Sequence, residues 1–97
     1  MAPDTLAKVK LAIRISHSKL DTDIEESIEG CLADLRVHGI VHAADDDPLI
    51  LNAVKLWCRS VYTDDTAKSA EYLKRYTALR DCLKVAEGYG WKGESDE

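Results

Sequence analysis

The sequence has no uninterrupted apolar run approaching the length of a membrane span. Its start, Met1-Ala2-Pro3-Asp4, has no positively charged region leading into an apolar one. Neither membrane insertion nor secretion is therefore expected. Cysteine is sparse and odd in number: Cys31, Cys58 and Cys82 lie too far apart for a paired-cysteine zinc knuckle. Each falls on or beside an apolar stripe, so all three are expected as reduced core residues of a cytosolic chain. Basic clusters are lacking too. A formal net charge of -5 disfavours tight non-specific attraction to nucleic acid, while leaving room for DNA that slides past. No internal repeat or low-complexity block is present, and polar residues gather nowhere into a catalytic or metal-binding set. Composition and spacing define a small helical domain and no activity.

The 97 residues fit a single domain, small enough that about a third of the surface of the unfolded chain stays exposed after folding. A partner surface would supply what the small core does not. Leu6, Val9 and Ile13 recur at helical spacing and predict a short first helix from about Thr5, its cap, to Ile13. Ile15-Ser16-His17-Ser18-Lys19 reads as a loop. Thr22 and Glu25 then have capping-box spacing, with acidic residues in the first turns of a second helix whose stripe is Ile24, Ile28, Cys31, Leu32 and Leu35. Gly39 is placed to end it as a left-handed residue. Asp47-Pro48 is a strong start for a third helix with the stripe Ile50, Val54, Trp57, Cys58 and Val61. After the polar turn Thr63-Asp64-Asp65-Thr66, a fourth helix is predicted from about Ala67 to Glu87, stopped by Gly88.

These elements predict an all-α domain of four helices spanning the whole chain, one short and three longer with antiparallel neighbours. An open set of hairpins is the alternative. The ordered part is expected over about residues 5–88, with residues 89–97 a flexible tail that a partner orders. The expected core is Ile24, Ile28, Leu32, Leu35, Val54, Trp57, Val61, Tyr72, Tyr76, Leu79 and Leu83. Each large apolar side chain in it stabilises the fold by about 1.5–3 kcal/mol before ordering costs.

Candidate chemistry is thin. His17 lies near a loop and His38 at a helix end, and no motif fixes a partner for acid-base work at either. A zinc site from His38, His42 and a cysteine has no compact ligand spacing. Asp45-Asp46-Asp47 lacks the alternating oxygen ligands, glycine and terminal glutamate of a calcium loop. It reads as a helix cap beside an exposed acidic turn which, repeated around an oligomer, forms an acidic channel or rim. Lys68, Lys74, Arg75, Arg80 and Lys84 make the fourth helix moderately basic, diluted by Glu71, Asp81 and Glu87, and suit salt bridges better than DNA gripping. Tyr89 and Trp91, aromatic residues beyond the helical core, are candidate interface anchors. No catalytic residue, cofactor or metal is assigned.

The order of the segments carries a resemblance. Val9 to Ser16, then Leu20-Asp21-Thr22-Asp23-Ile24 opening a helix that reaches Ala33-Asp34-Leu35-Arg36-Val37-His38-Gly39-Ile40, resembles the beginning of the small head-tail connector proteins of long-tailed bacteriophages. Asp47-Pro48-Leu49-Ile50 leading into Ala53-Val54-Lys55-Leu56-Trp57, and Tyr72 to Leu83, are similar to that family's third and fourth helical blocks. The resemblance covers about Leu6 to Tyr89. It implies a non-enzymatic adaptor for head completion, present in the virion and in the host cytoplasm during assembly. By the same resemblance, copies would form a ring of about a dozen beneath the portal protein, which needs two different faces meeting head to tail. A tail-side connector or stopper would meet the ring, and double-stranded DNA would pass through its channel without sequence recognition. The family's use of its C-terminal portion against the portal implies docking by Tyr89, Trp91 and Lys92, with Arg80 and Lys84 on the adjoining helix. A small helical protein-binding or regulatory module, acting through an apolar helix face, is the alternative.

Overall fold

Helix ends leave backbone groups unpaired, and where those groups find partners sets the boundaries of this fold. The computed structural model describes residues 4–40 and 43–86, which form α1 (Thr5–Ile13), α2 (Asp21–Val37), α3 (Pro48–Tyr62) and α4 (Thr66–Val85). At α3 the expected start is present: Asp47 Oδ1 accepts from the amides of Leu49 at 2.8 Å and Ile50 at 3.4 Å, and Pro48 takes a position that needs no donor. At α4 Asp65 accepts from the Lys68 amide at 3.1 Å. α4 ends at Val85, where Ala86 is extended and its amide reaches Leu83 O at 3.2 Å, two residues before the expected end at Glu87; the expected stop at Gly88 lies outside the described residues.

The two remaining starts differ from expectation. Thr5 does not cap α1, because its hydroxyl turns inward and donates to Asp45 Oδ2 at 2.6 Å in a buried pair. The Thr22 capping box is not formed either. Leu20 occupies the cap position without a side-chain bond, and Thr22 sits exposed inside the first turn. The chain enters the helix early because Asp21 is held from outside, by its amide on Ser18 O at 3.3 Å and its carboxylate 2.7 Å from Lys10 Nζ. Asp21 and Asp23 still lie at the positive end of the helix dipole.

Both early helices end in the same way. Gly39, at φ 94°, lets the Ile40 amide reach Leu35 O at 2.9 Å and the Gly39 amide reach Arg36 O at 3.0 Å. Ile40 and Leu35 are both fully buried, which completes the apolar contact of this motif. α1 repeats the motif with Arg14 at φ 62° and Ile15 bonded to Lys10 O at 3.0 Å. A non-glycine residue holds this conformation at a cost of about 1 kcal/mol or more.

Side-chain pairs give the helix directions. Asp23 meets Tyr62 and Gly30 meets Trp57, so α2 and α3 are antiparallel. Ser60 with Ser69, Arg59 with Tyr72 and Trp57 with Tyr76 make α3 and α4 antiparallel too. α1 runs parallel to α3, with Ala12 against Arg59 at one end and Thr5 against Asp45 at the other. All three other helices pack on α3. α2 and α4 flank it and run parallel to each other, and the shortest principal extent, 18 Å, makes the molecule a slab less than two helix diameters thick.

The core follows from that plan. Ile24, Ile28, Leu32, Leu35, Val54, Tyr76 and Leu83 are buried as expected, but Val61 is half exposed, and Trp57, Tyr72 and Leu79 are only partly covered. The difference arises because α4 covers one side of α3 and contributes just Tyr76 and Leu83 to the buried set. α1 and the 40–45 connection supply Val9, Ile40 and Ala43 instead. Cys31 and Cys58 are buried, whereas Cys82 is exposed, a correction with the same cause: it lies on the uncovered side of α4.

At Gly30 an added methyl would meet Trp57 Cζ2 at 4.0 Å, an ordinary van der Waals contact. Replacing a mid-helix glycine there removes unfolded-chain freedom without a clash. Gly30→Ala is expected to raise stability by about 0.5–1 kcal/mol, read as a higher urea midpoint at unchanged m-value.

Candidate functional site

The densest polar cluster lies where α2 and α4 approach across α3. Asp34 on α2 projects between the two helices because Cys31 and Leu35 on either side turn into the core. Its Oδ2 accepts from the Tyr76 hydroxyl at 2.6 Å and from Arg80 Nη1 at 3.3 Å. The Arg80 guanidinium also lies 5.8 Å from the Tyr76 ring centroid, and its Nε stands 3.7 Å from Asp81 Oδ1. His38 Nδ1 lies 2.8 Å from the backbone oxygen of Asp34 and 3.4 Å from Oδ1. Burial, and then the Asp34 carboxylate, push the Tyr76 hydroxyl far above the usual tyrosine range, so it serves as a fixed donor. The cluster is a clamp between helices. Arg80, expected to meet a partner, is committed inside the subunit, and the reason is its four-residue spacing from Tyr76, which aims both at Asp34.

A second set holds the other end. Tyr62 donates to Asp23, and burial followed by that carboxylate raises its hydroxyl to about 12. Arg59 Nε donates to Ala12 O at 3.3 Å at the end of α1 and lies 5.8 Å from the Tyr72 ring centroid. Arg14, Arg59, Lys68 and Asp64 border an open cleft of about 450 Å³ there. It brings three cations together beside a carboxylate and the side chains of Tyr62, Thr63 and Tyr72. Among the described residues no group of three or more histidine, cysteine or carboxylate side chains is arranged to hold a metal ion, and no helix is long and apolar enough to cross a membrane.

The acidic turn is divided by the fold. Asp45 is buried against Thr5 and leaves the expected rim, drawn in by the need to close the 40–45 connection over α1. Asp47 caps α3, and Asp46 is exposed. His17 accepts from the Lys19 amide at 3.2 Å within the loop. Lys84 is exposed near the end of α4. Tyr89, Trp91 and Lys92, and His42, lie outside the described residues.

What the surface does present is apolar. Leu11 is 79% exposed, Val37 82% and Val85 87%. Leu11 stands in a shallow depression with Ala7 and Ile15. A separate groove runs along α4 between Ala70, Leu73, Lys74, Thr77, Ala78 and Asp81. Helical periodicity does not mark Leu11, Val37 or Val85, which fall off the apolar stripes of their helices. What defines the molecule at this point is a four-helix, all-α domain with several uncovered apolar patches on separate helices. Compared with protein families, with curated proteins and with solved structures, the chain matches none.

Two outcomes test this description. Tyr76→Phe keeps ring packing against Trp57 but removes a charge-assisted bond to Asp34, and should cost about 1.5–3 kcal/mol in denaturant unfolding. Burial raises the Cys31 and Cys58 thiols to about 12 from an ordinary value of 9.0. Thiolate is the reactive form, so mild alkylation of the native protein should label Cys82 and spare the other two. The unfolded chain loses those two protons near pH 9 while the folded chain keeps them to about 12. Stability is thus complete below pH 9 and should fall as pH rises above it. A melting temperature that stays level from pH 8 to pH 11 would contradict the assignment.

Proposed function

We propose that this chain is a non-enzymatic structural adaptor of phage particle assembly. Copies form a ring between portal and tail, complete the head, and leave a channel through which double-stranded DNA passes without sequence recognition. The observation that carries this reading is the distribution of exposed apolar side chains. Leu11 on α1, Val37 at the end of α2 and Val85 at the end of α4 stand almost fully in solvent on separate elements. A binder of one peptide would gather such residues in one groove. A subunit with unlike neighbours on several sides needs them apart. The ordered resemblance of Leu6 to Tyr89 to the connector proteins supports the same reading and supplies its setting, with portal on one side and a tail-side connector or stopper on the other.

In this role the Asp34 and Tyr62 clamps keep a thin slab rigid while its outer surfaces do the binding. The portal contact is assigned to Tyr89, Trp91 and Lys92, with Lys84 on the adjoining turn of α4. Electron microscopy of portal-bearing heads incubated with the purified protein should show a ring of density beneath the portal. Trp91→Ala should lower its occupancy. Heads that gain no density under assembly conditions would sink the adaptor reading, and full occupancy by the Trp91→Ala protein would reject that anchor.

A further inference from the structure

Opposite edges of the slab carry opposite charge. At exposed positions α2 has Asp23, Glu26 and Glu29 against Arg36, and α4 has Lys68, Lys74, Arg75 and Lys84 against Glu71 and Asp81. The two helices flank α3, so their outer faces point away from each other. Along the outer face of α2 the exposed residues Glu29, Ala33 and Arg36 follow at steps of four and three. Along the groove of α4 the exposed residues Lys74, Ala78 and Asp81 follow at the same steps. Acid, small, base on one edge faces base, small, acid on the other. The match requires the two helices to run in the same direction.

We infer that the outer face of α2 docks in the α4 groove of a second copy, in parallel, with Glu29 against Lys74, Ala33 on Ala78 and Arg36 against Asp81. The direction is built into the subunit, because α2 and α4 already run parallel within it. A neighbour related by sidewise translation, with a modest turn, therefore presents its α2 to α4 in the required sense, whereas a two-fold axis perpendicular to the helices would reverse it. The small residues at the centre allow close approach of the two helices. In the same register Val37 enters the hole formed by Ala78, Asp81, Cys82 and Val85, the knob-into-hole geometry of parallel helices. That contact covers two of the most exposed apolar residues of the molecule at once.

The contact is heterologous, so each copy keeps a free α2 edge and a free α4 edge until the chain of copies closes. It rests on the adaptor reading for its choice of a second copy as occupant, and the charge pattern supplies the register. The two ion pairs weaken as salt screens them, while Glu26 falls opposite Glu71 one heptad before Ala33 and Ala78, a repulsion reduced by the pairing of Glu71 with Arg75 at 3.0 Å.

The test is a charge inversion read by sedimentation velocity at low salt, from micromolar to millimolar protein, with helix content checked by circular dichroism. Glu29→Lys with Arg36→Glu inverts the α2 row, and Lys74→Glu with Asp81→Lys inverts the α4 row. Wild type should self-associate and weaken with added salt. Each inverted protein alone should associate about tenfold less tightly or worse, because both ion pairs become repulsive. An equimolar mixture of the two should recover association, since inverted α2 then meets inverted α4. Independently of these charges, Val37→Cys should be bridged to the native Cys82 of a neighbour by a short bifunctional maleimide, giving a ladder that Cys82→Ala abolishes. Wild-type association that persists in both inverted proteins overturns the inference and leaves the adaptor reading to the head-binding experiment. A wild type that stays monomeric at millimolar concentration, together with a Val37→Cys protein that gives no ladder, also overturns it, even where rings appear on heads.

Discussion

Trp57 stands where α2, α3 and α4 meet, and the arrangement of the longer helices depends on its fit. On one side α2 passes it at Gly30, where even an added methyl would rest on the indole at 4.0 Å. On the other the Tyr76 ring packs edge-on, with centroids 5.3 Å apart and planes at 72°. The same Tyr76 then extends its hydroxyl past the indole to Asp34 on α2. Apolar contact and hydrogen bond act on one side chain, so α4 cannot shift along α3 without losing both. This matters because α4 buries little else: Leu83 is its other fully covered large residue.

A slab one helix wide on either side of α3 has a high ratio of surface to core, and its polar clamps lie at the margins for that reason. Asp34 with Tyr76 and Arg80 ties one end, Asp23 with Tyr62 ties the other, and Thr5 with Asp45 fastens α1 to the connection before α3. Each closes a gap between elements that apolar packing does not span. The Thr5 hydroxyl on Asp45 is buried and that of Tyr76 on Asp34 partly so, and both are costly to separate; the Tyr62 bond to Asp23 is exposed and holds register more weakly. The cost of the flat shape is visible outside, in valines and a leucine left in solvent. A surface of that kind is suited to an assembly whose neighbours complete the burial.

That physical picture joins the proposed adaptor role to the inferred contact between copies. A subunit with parallel outer helices of opposite charge is polar from side to side, and repetition preserves the polarity. In the proposed ring, closure would come from a small rotation per copy. Chemistry is not required of such a molecule. The raised thiols of Cys31 and Cys58 and the raised hydroxyl of Tyr76 are consequences of packing, and each keeps its proton at neutral pH.

The sequence by itself determined the four helices, the Asp47-Pro48 start, the left-handed Gly39 and most of the buried stripe, because propensity, capping and periodicity act within a few residues of each position. Only the tertiary structure decided which charged and polar side chains remained available. Thr5 was drawn from the helix cap to Asp45, Asp45 from the acidic turn into the interior, Arg80 from the surface to Asp34, and Val61 and Cys82 were left outside the core. No local pattern carries that information, since it depends on residues about forty positions apart arriving within hydrogen-bond distance. The opposed charge rows on α2 and α4 were present in the sequence from the start, but their meaning as two edges of one slab came from α3 lying between them.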